Sequence, residues 1–140
     1  MVKQAMRAGL LLALAFILSA QPLFAAGKTV KVKVTLVSAE LVHNEHVGNE
    51  WWWGGYVNGK ELEEGSSATV DVSSSGSIEL RAEAQELDKY PEDGTAKATV
   101  KVSSIKSSIN KALDVTVTEN RGRYSGKQAH WRFVFKIQKL

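Results

Sequence analysis

The chain has 140 residues, 24% of them charged and 44% hydrophobic, with 18 Lys and Arg, 15 Asp and Glu, and no cysteine. That length supports one domain with a hydrophobic core, and the composition excludes a wholly disordered chain. The lack of cysteine excludes disulfides, thiolate metal sites, cysteine nucleophiles and a lipidated N-terminal cysteine.

Lys3 and Arg7 precede an apolar run from Gly9 to Ala20, which Gln21 and Pro22 break before Ala25 and Ala26 supply small residues. A basic start, an apolar stretch of about a dozen residues and a small-residue exit are the parts of a secretory signal peptide. Residues 1–26 are therefore expected to be removed on export. The run falls short of the roughly 20 residues that a membrane span needs. Residues 27–140 are then one mature domain, secreted or periplasmic, with no transmembrane segment. Without Lys3 and Arg7 the mature chain keeps sixteen basic and fifteen acidic side chains, a net of +1. Bulk charge gives nucleic-acid binding no support.

From Thr29 onward the dominant period is two. Val30, Val32, Val34 and Leu36 alternate with Lys31, Lys33 and Thr35. Similar rows run through Ile78–Ala84, Ala96–Val102, Leu113–Val117 and Trp131–Ile137. Successive strand side chains point to opposite faces, so each row predicts a half-buried strand. Asn58-Gly59 is a hairpin signal, because a type I′ turn needs positive φ at both central residues. Gly65-Ser66, Ser73–Gly76 and Gly94 mark further breaks. Eight strands are predicted, near 29–41, 51–57, 60–64, 68–72, 77–87, 95–102, 112–119 and 127–138. Ser103–Lys111 is the least regular stretch, where Ile105 and Ile109 suit one face of a short helical turn. Such a pattern predicts an all-β fold, an antiparallel two-sheet sandwich, with a closed barrel as the alternative.

If successive strands run antiparallel, the loops at 42–50, 65–67, 88–94 and 120–126 share one end. That end gathers His43, Glu45, His46, Glu50, Asp88, Tyr90, Glu92, Asp93, Arg121, Arg123 and Tyr124. Loops on a rigid scaffold commonly carry binding residues, so this end is the functional candidate. The segment Glu86-Leu87-Asp88-Lys89-Tyr90-Pro91-Glu92-Asp93-Gly94 is its densest chemistry. Alternation places Glu86 and Asp88 on one side, and calcium takes six to eight hard oxygens from such groups. The segment also reads as a solvated acidic hairpin loop, with Pro91 and Gly94 as turn formers.

About a dozen positions here resemble the calcium-dependent phospholipid-binding sandwich of synaptotagmins and protein kinase C. In that family a strand ends in an acidic-x-Asp pair, a short loop adds Asp, and Gly opens the next strand. The resemblance implies Ca2+ as the ligand, held by Glu86, Asp88 and Asp93, with Glu92 as a further candidate. This chain departs from the pattern in having Glu at the first acidic position. A second resemblance covers most of the mature chain. His46-Val47-Gly48-Asn49-Glu50-Trp51, Tyr56-Val57-Asn58-Gly59-Lys60 and Glu119–Gly126 are similar to segments of small exported bacterial domains. It implies export and a sandwich, and no chemistry.

Trp51-Trp52-Trp53 cannot all face one core, since Trp52 takes the face opposite Trp51 and Trp53. Trp52 is thus a candidate for contact with a partner or a sugar ring, the competing arrangement being two core indoles and one covered by the 42–50 loop. Arg121, Arg123 and Tyr124 suit an anion or partner-docking loop, and the two arginines also suit neutralisation of the neighbouring acids. His43 and His46, beside Glu45 and Glu50, lack a recognised metal spacing. His130 reads as a polar-face residue. No serine sits in a Gly-x-Ser-x-Gly elbow, and the paired carboxylates are expected on an exposed loop without a cleft. The expectation is a non-enzymatic module with an exported protein or surface ligand as partner. A metal-free interaction domain or a carbohydrate binder is the alternative.

Overall fold

A computed structural model describes residues 28–140, and the expected leader at 1–26 lies outside the described residues. The period-two rows become strands β1 (Thr29–Asn44), β2 (Trp51–Val57), β3 (Lys60–Leu62), β4 (Ser67–Ser73), β5 (Ser77–Glu86), β6 (Glu92–Lys101), β7 (Ser108–Thr118) and β8 (Gln128–Lys139). They pair antiparallel in two four-stranded sheets of order β4-β1-β8-β7 and β3-β2-β5-β6. The fold is the expected two-sheet sandwich and not a closed barrel.

Inward rows from both sheets meet in one core. Val32, Val34 and Leu36 of β1 and Phe133, Phe135 and Ile137 of β8 face Ile78, Leu80, Ala82 and Ala84 of β5. Such burial is the main favourable term in folding, at about 25 cal/mol per Å² of apolar surface. Asn58 and Gly59 hold φ of 47° and 79°, as a type I′ turn requires. Asn58 also ties the hairpin to β5: its Oδ1 accepts from Glu79 N–H at 2.9 Å, and its own N–H donates to Glu79 O at 2.9 Å. Asn58→Ala removes the side-chain acceptor and puts a Cβ-bearing residue of low left-handed preference there. Urea unfolding should register a loss of about 1–2 kcal/mol.

Two details differ from the expected elements. A 3-10 turn at Val102–Ser104 delivers Ile105 to the core, and Ile109 arrives separately from β7, so no single helical turn holds both. Strand β1 runs on to Asn44 through register shifts at Leu36/Ser38 and Leu41/His43. Each shift leaves one residue, Val37 and then Val42, out of the register, and both are solvent-exposed at 48% and 49%. Only Thr29–Thr35 of β1 pair with β4, and only Gly55–Val57 of β2 pair with β3. On that flank the upper edges of β1 and β2 have no strand partner among the described residues.

Candidate functional site

Three inward rows end in glutamate. Ile78, Leu80, Ala82 and Ala84 lead to Glu86; Val100, Ala98, Ala96 and Gly94 lead to Glu92; Leu113, Val115 and Val117 lead to Glu119. Glu86 and Glu92 are direct cross-strand partners, closing the β5–β6 hairpin. Because the rows point into the sandwich, the carboxylates cap the core and are buried at 2%, 5% and 9% exposure. One member of each expected pair, Glu86 and Glu92, is therefore buried on a strand and not on an exposed loop, whereas Asp88 and Asp93 are exposed as expected.

The loops at 45–50, 87–91 and 119–127 close over these acids. Leu87 N–H donates to Glu50 O at 2.7 Å, Glu45 N–H donates to Gln128 O at 3.0 Å, and Lys127 pairs with Glu45. That ammonium holds the Glu45 carboxyl below the usual range. Val47 is buried as a plug, anchored by its N–H donating to Asn44 Oδ1 at 3.1 Å. Gly48 seats this loop on Glu86. A Cβ there would lie 2.3 Å from Glu86 Oε1, and the φ of 141° favours glycine. The 63–66 connection shares the parity of this end but does not join it. Gly65 N–H donates to Leu36 O, eight residues below the top of β1 and roughly 25 Å away along the strand.

Within this cap, Glu86, Asp88 and Glu92 each offer a carboxylate oxygen, and the three oxygens lie within 4.8 Å of one another. Asp88 N–H donates to Glu86 Oε2 at 3.1 Å, and Arg121 N–H donates to Glu119 Oε1 at 3.1 Å. Glu92 Oε2 is buried with no hydrogen-bond partner. An ionised carboxylate in such a place needs a proton or a cation. Burial, reinforced by Asp88, pushes the Glu86 carboxyl up to about 7. Burial and the neighbouring Glu119 carboxyl also raise Glu92.

The other sequence candidates divide by strand parity. Asp93 follows Glu92 and pairs with Gln85, so it lies on the outer face, outside the converging three. Trp52 also faces outward, 38% exposed. Trp51 and Trp53 turn inward, with ring centroids 5.6 and 4.9 Å from that of Trp131. Trp51 Nε1 donates to Gly48 O at 3.2 Å, while Trp53 keeps 41% exposure, so the 45–50 loop ties down one indole and leaves Trp52 uncovered. Arg121, Arg123 and Tyr124 line a cleft of about 580 Å³ with Asp88, Tyr90 and Glu119. Neither arginine neutralises the acids through an ion pair: among the described residues, no carboxylate lies within 4.0 Å of either guanidinium nitrogen set. Arg121 instead sits 4.2 Å above the Tyr90 ring. His46 stacks on Tyr124 at 4.4 Å, whereas His43 faces His130 across the strand pair at 5.8 Å, so the two histidines do not share a site.

Glu119 is the site residue that the sequence reading passed over. Extending the Leu113, Val115, Val117 row by one step finds it. Comparison of the sequence with models of known protein families, and with curated proteins, finds no match.

Proposed function

We propose that this chain is an exported, non-catalytic binding module whose buried acidic cap takes a divalent cation, with Ca2+ as the fitting ion. The convergence of Glu86, Asp88 and Glu92 oxygens within 4.8 Å, together with the buried, unpartnered Oε2 of Glu92, carries the reading. All the donors are hard carboxylate oxygens, the chemistry of calcium and magnesium rather than of zinc or copper. Three carboxylates leave several positions open, and loop carbonyls would complete a flexible shell of six to eight oxygens more readily than a rigid octahedron. Asp88 also lines the adjoining cleft, so a bound cation would meet ligands arriving there.

Thermal unfolding of the 27–140 domain tests this. Calcium at ten times its Kd should add about 1.4 kcal/mol, a rise of roughly 5 °C that chelator reverses. Magnesium should give a smaller rise, and Asp88→Ala with Glu92→Ala should give none. A melting temperature unmoved by millimolar calcium removes the cation from the proposal.

A second reading rests on the unpaired upper edges of β1 and β2, flanked by exposed Val37, Leu41, Val42 and Trp53. An added strand from another exported protein would satisfy those backbone groups without metal.

A further inference from the structure

The outer face of the β3-β2-β5-β6 sheet carries chemistry that the acidic cap does not use. Across it runs one register row, Trp52–Gln85–Asp93, contributed by β2, β5 and β6. Strands are spaced about 4.8 Å apart, so this row spans about 10 Å. Next to it lies the row Gly54–Glu83–Thr95. Two atoms of the Trp52 six-membered ring and the Tyr56 hydroxyl all lie 3.2 Å from where a Cβ on Gly54 would be. The indole therefore reaches along the strand over the glycine, and Gly54 is buried beneath it. Tyr56 is fixed by Arg81, whose guanidinium carbon stands 4.1 Å from its ring centre and whose Nε lies 3.3 Å from Glu83. Between the indole and β6 is a hollow of about 140 Å³, lined by Trp52, Glu83, Gln85, Asp93 and Thr95.

We propose that this hollow binds a pyranose ring of an uncharged polysaccharide, stacked on Trp52 and hydrogen-bonded by Gln85, Asp93 and Thr95. A pyranose has an apolar C–H face and an equatorial rim of hydroxyls. The indole supplies a flat, polarisable partner for the first. An amide, a carboxylate and a hydroxyl supply both donors and acceptors for the second. Charge narrows the choice of sugar. Arg81 already pairs with Glu83, and no basic side chain lies within 4.0 Å of Asp93 among the described residues. The hollow is thus electronegative, which suits neutral hydroxyls and repels uronates and sulfated glycans. Parity explains the division of labour: Glu86 and Glu92 turn inward to the cap, while their neighbours Gln85 and Asp93 turn outward to this face.

Affinity electrophoresis reads weak binding of this kind. The 27–140 domain would be run with EDTA through gels holding soluble mixed-linkage β-glucan, galactomannan or glycol chitin, and through polygalacturonate. Retardation is expected in at least one neutral gel and not in polygalacturonate. Trp52→Ala should weaken it at least about tenfold, and Asp93→Ala, which removes no ring, should weaken it several-fold. Asp93→Ala should keep the parent's urea midpoint, because its side chain is exposed, whereas Trp52→Ala uncovers Gly54 and is compared under conditions where it is folded. If Trp52→Ala fails to fold, Asp93→Ala decides alone. No retardation in any neutral gel, equal retardation by polygalacturonate, or retardation indifferent to the folded variants overturns the proposal. Because EDTA is present throughout, none of these results bears on the cation site.

Discussion

Without divalent cations, the domain should become less stable as pH rises from 5 to 8, the reverse of what paired surface carboxylates produce. Burial beside Asp88 raises Glu86 from an ordinary 4.5 to about 7. Between those values the folded state binds a proton that the unfolded chain has released. Stability then falls with pH, because its slope follows protons bound unfolded minus protons bound folded. This contribution is fully present below about 4.5 and gone above about 7. Its size across pH 5 to 8 is about 2–3 kcal/mol, and Glu92, raised by burial and by Glu119, acts in the same direction. Glu45 works oppositely, since Lys127 lowers it, but that stability is lost only at more acid pH.

Calcium should cancel this slope. A bound cation stabilises the ionised carboxylates and competes with protons, so its apparent affinity increases as pH rises. Urea midpoints at pH 5, 6, 7 and 8, with EDTA or with saturating calcium, give the comparison directly. Glu86→Gln plus Glu92→Gln should flatten the EDTA profile, stabilise the domain at pH 8 and abolish the calcium response. A flat or rising profile in EDTA would mean that the two glutamates ionise normally. A falling profile that calcium leaves unchanged would make them buried acids and nothing more.

The strands were readable from residue order because each buries one face, and period two is the direct imprint of that burial. Reading failed where the backbone departs from the period. Alternation in β1 stops at Leu36, yet the strand continues to Asn44, because the bulge at Val37 moves the inward row from Leu36 to Ala39 and so breaks the period. The start of β6 was hidden for another reason. Pro91-Glu92-Asp93-Gly94 has the composition of a turn, but Glu92 and Asp93 already pair with Glu86 and Gln85. Treating the four as a loop makes all their carboxylates equivalent. Pairing gives Glu92 to the cap and Asp93 to the outer sheet. Glu119 was obscured in turn by standing next to a polar loop, although it completes an apolar row. Loop parity correctly gathered the acids at one end, since antiparallel order fixes it. Loop height was not legible: the 63–66 connection has the right parity but sits beside Leu36, because β3 and β4 are short.

Gly94→Ala should be among the most damaging single substitutions outside the core, costing about 3 kcal/mol or more in urea unfolding. Gly94 lies on the inward row of β6, next to Glu92, where the edges of the two sheets approach each other. A Cβ there would fall 2.2 Å from the carbonyl oxygen of Thr116 and 3.0 Å from Val115 Cγ1. The first contact is with backbone in the middle of β7, which pairs along its length with β8 and has no rotamer to yield. Overpacking against a movable side chain typically costs 1–3 kcal/mol, and an immovable carbonyl belongs at or beyond the top of that range. Gly65 provides the contrast. Its φ of 84° disfavours alanine, but nothing lies within 4 Å of its Cβ position, so Gly65→Ala should cost only about 1–2 kcal/mol. Relief of the clash requires β6 to move away from β7, which carries Glu92 away from Glu119. Gly94→Ala should therefore weaken calcium binding as well as folding, measured on the folded fraction by titration. Equal costs for the two glycine variants would mean that the sheets do not meet at Gly94, and an unchanged calcium affinity in Gly94→Ala would detach the cap from the strand spacing beneath it.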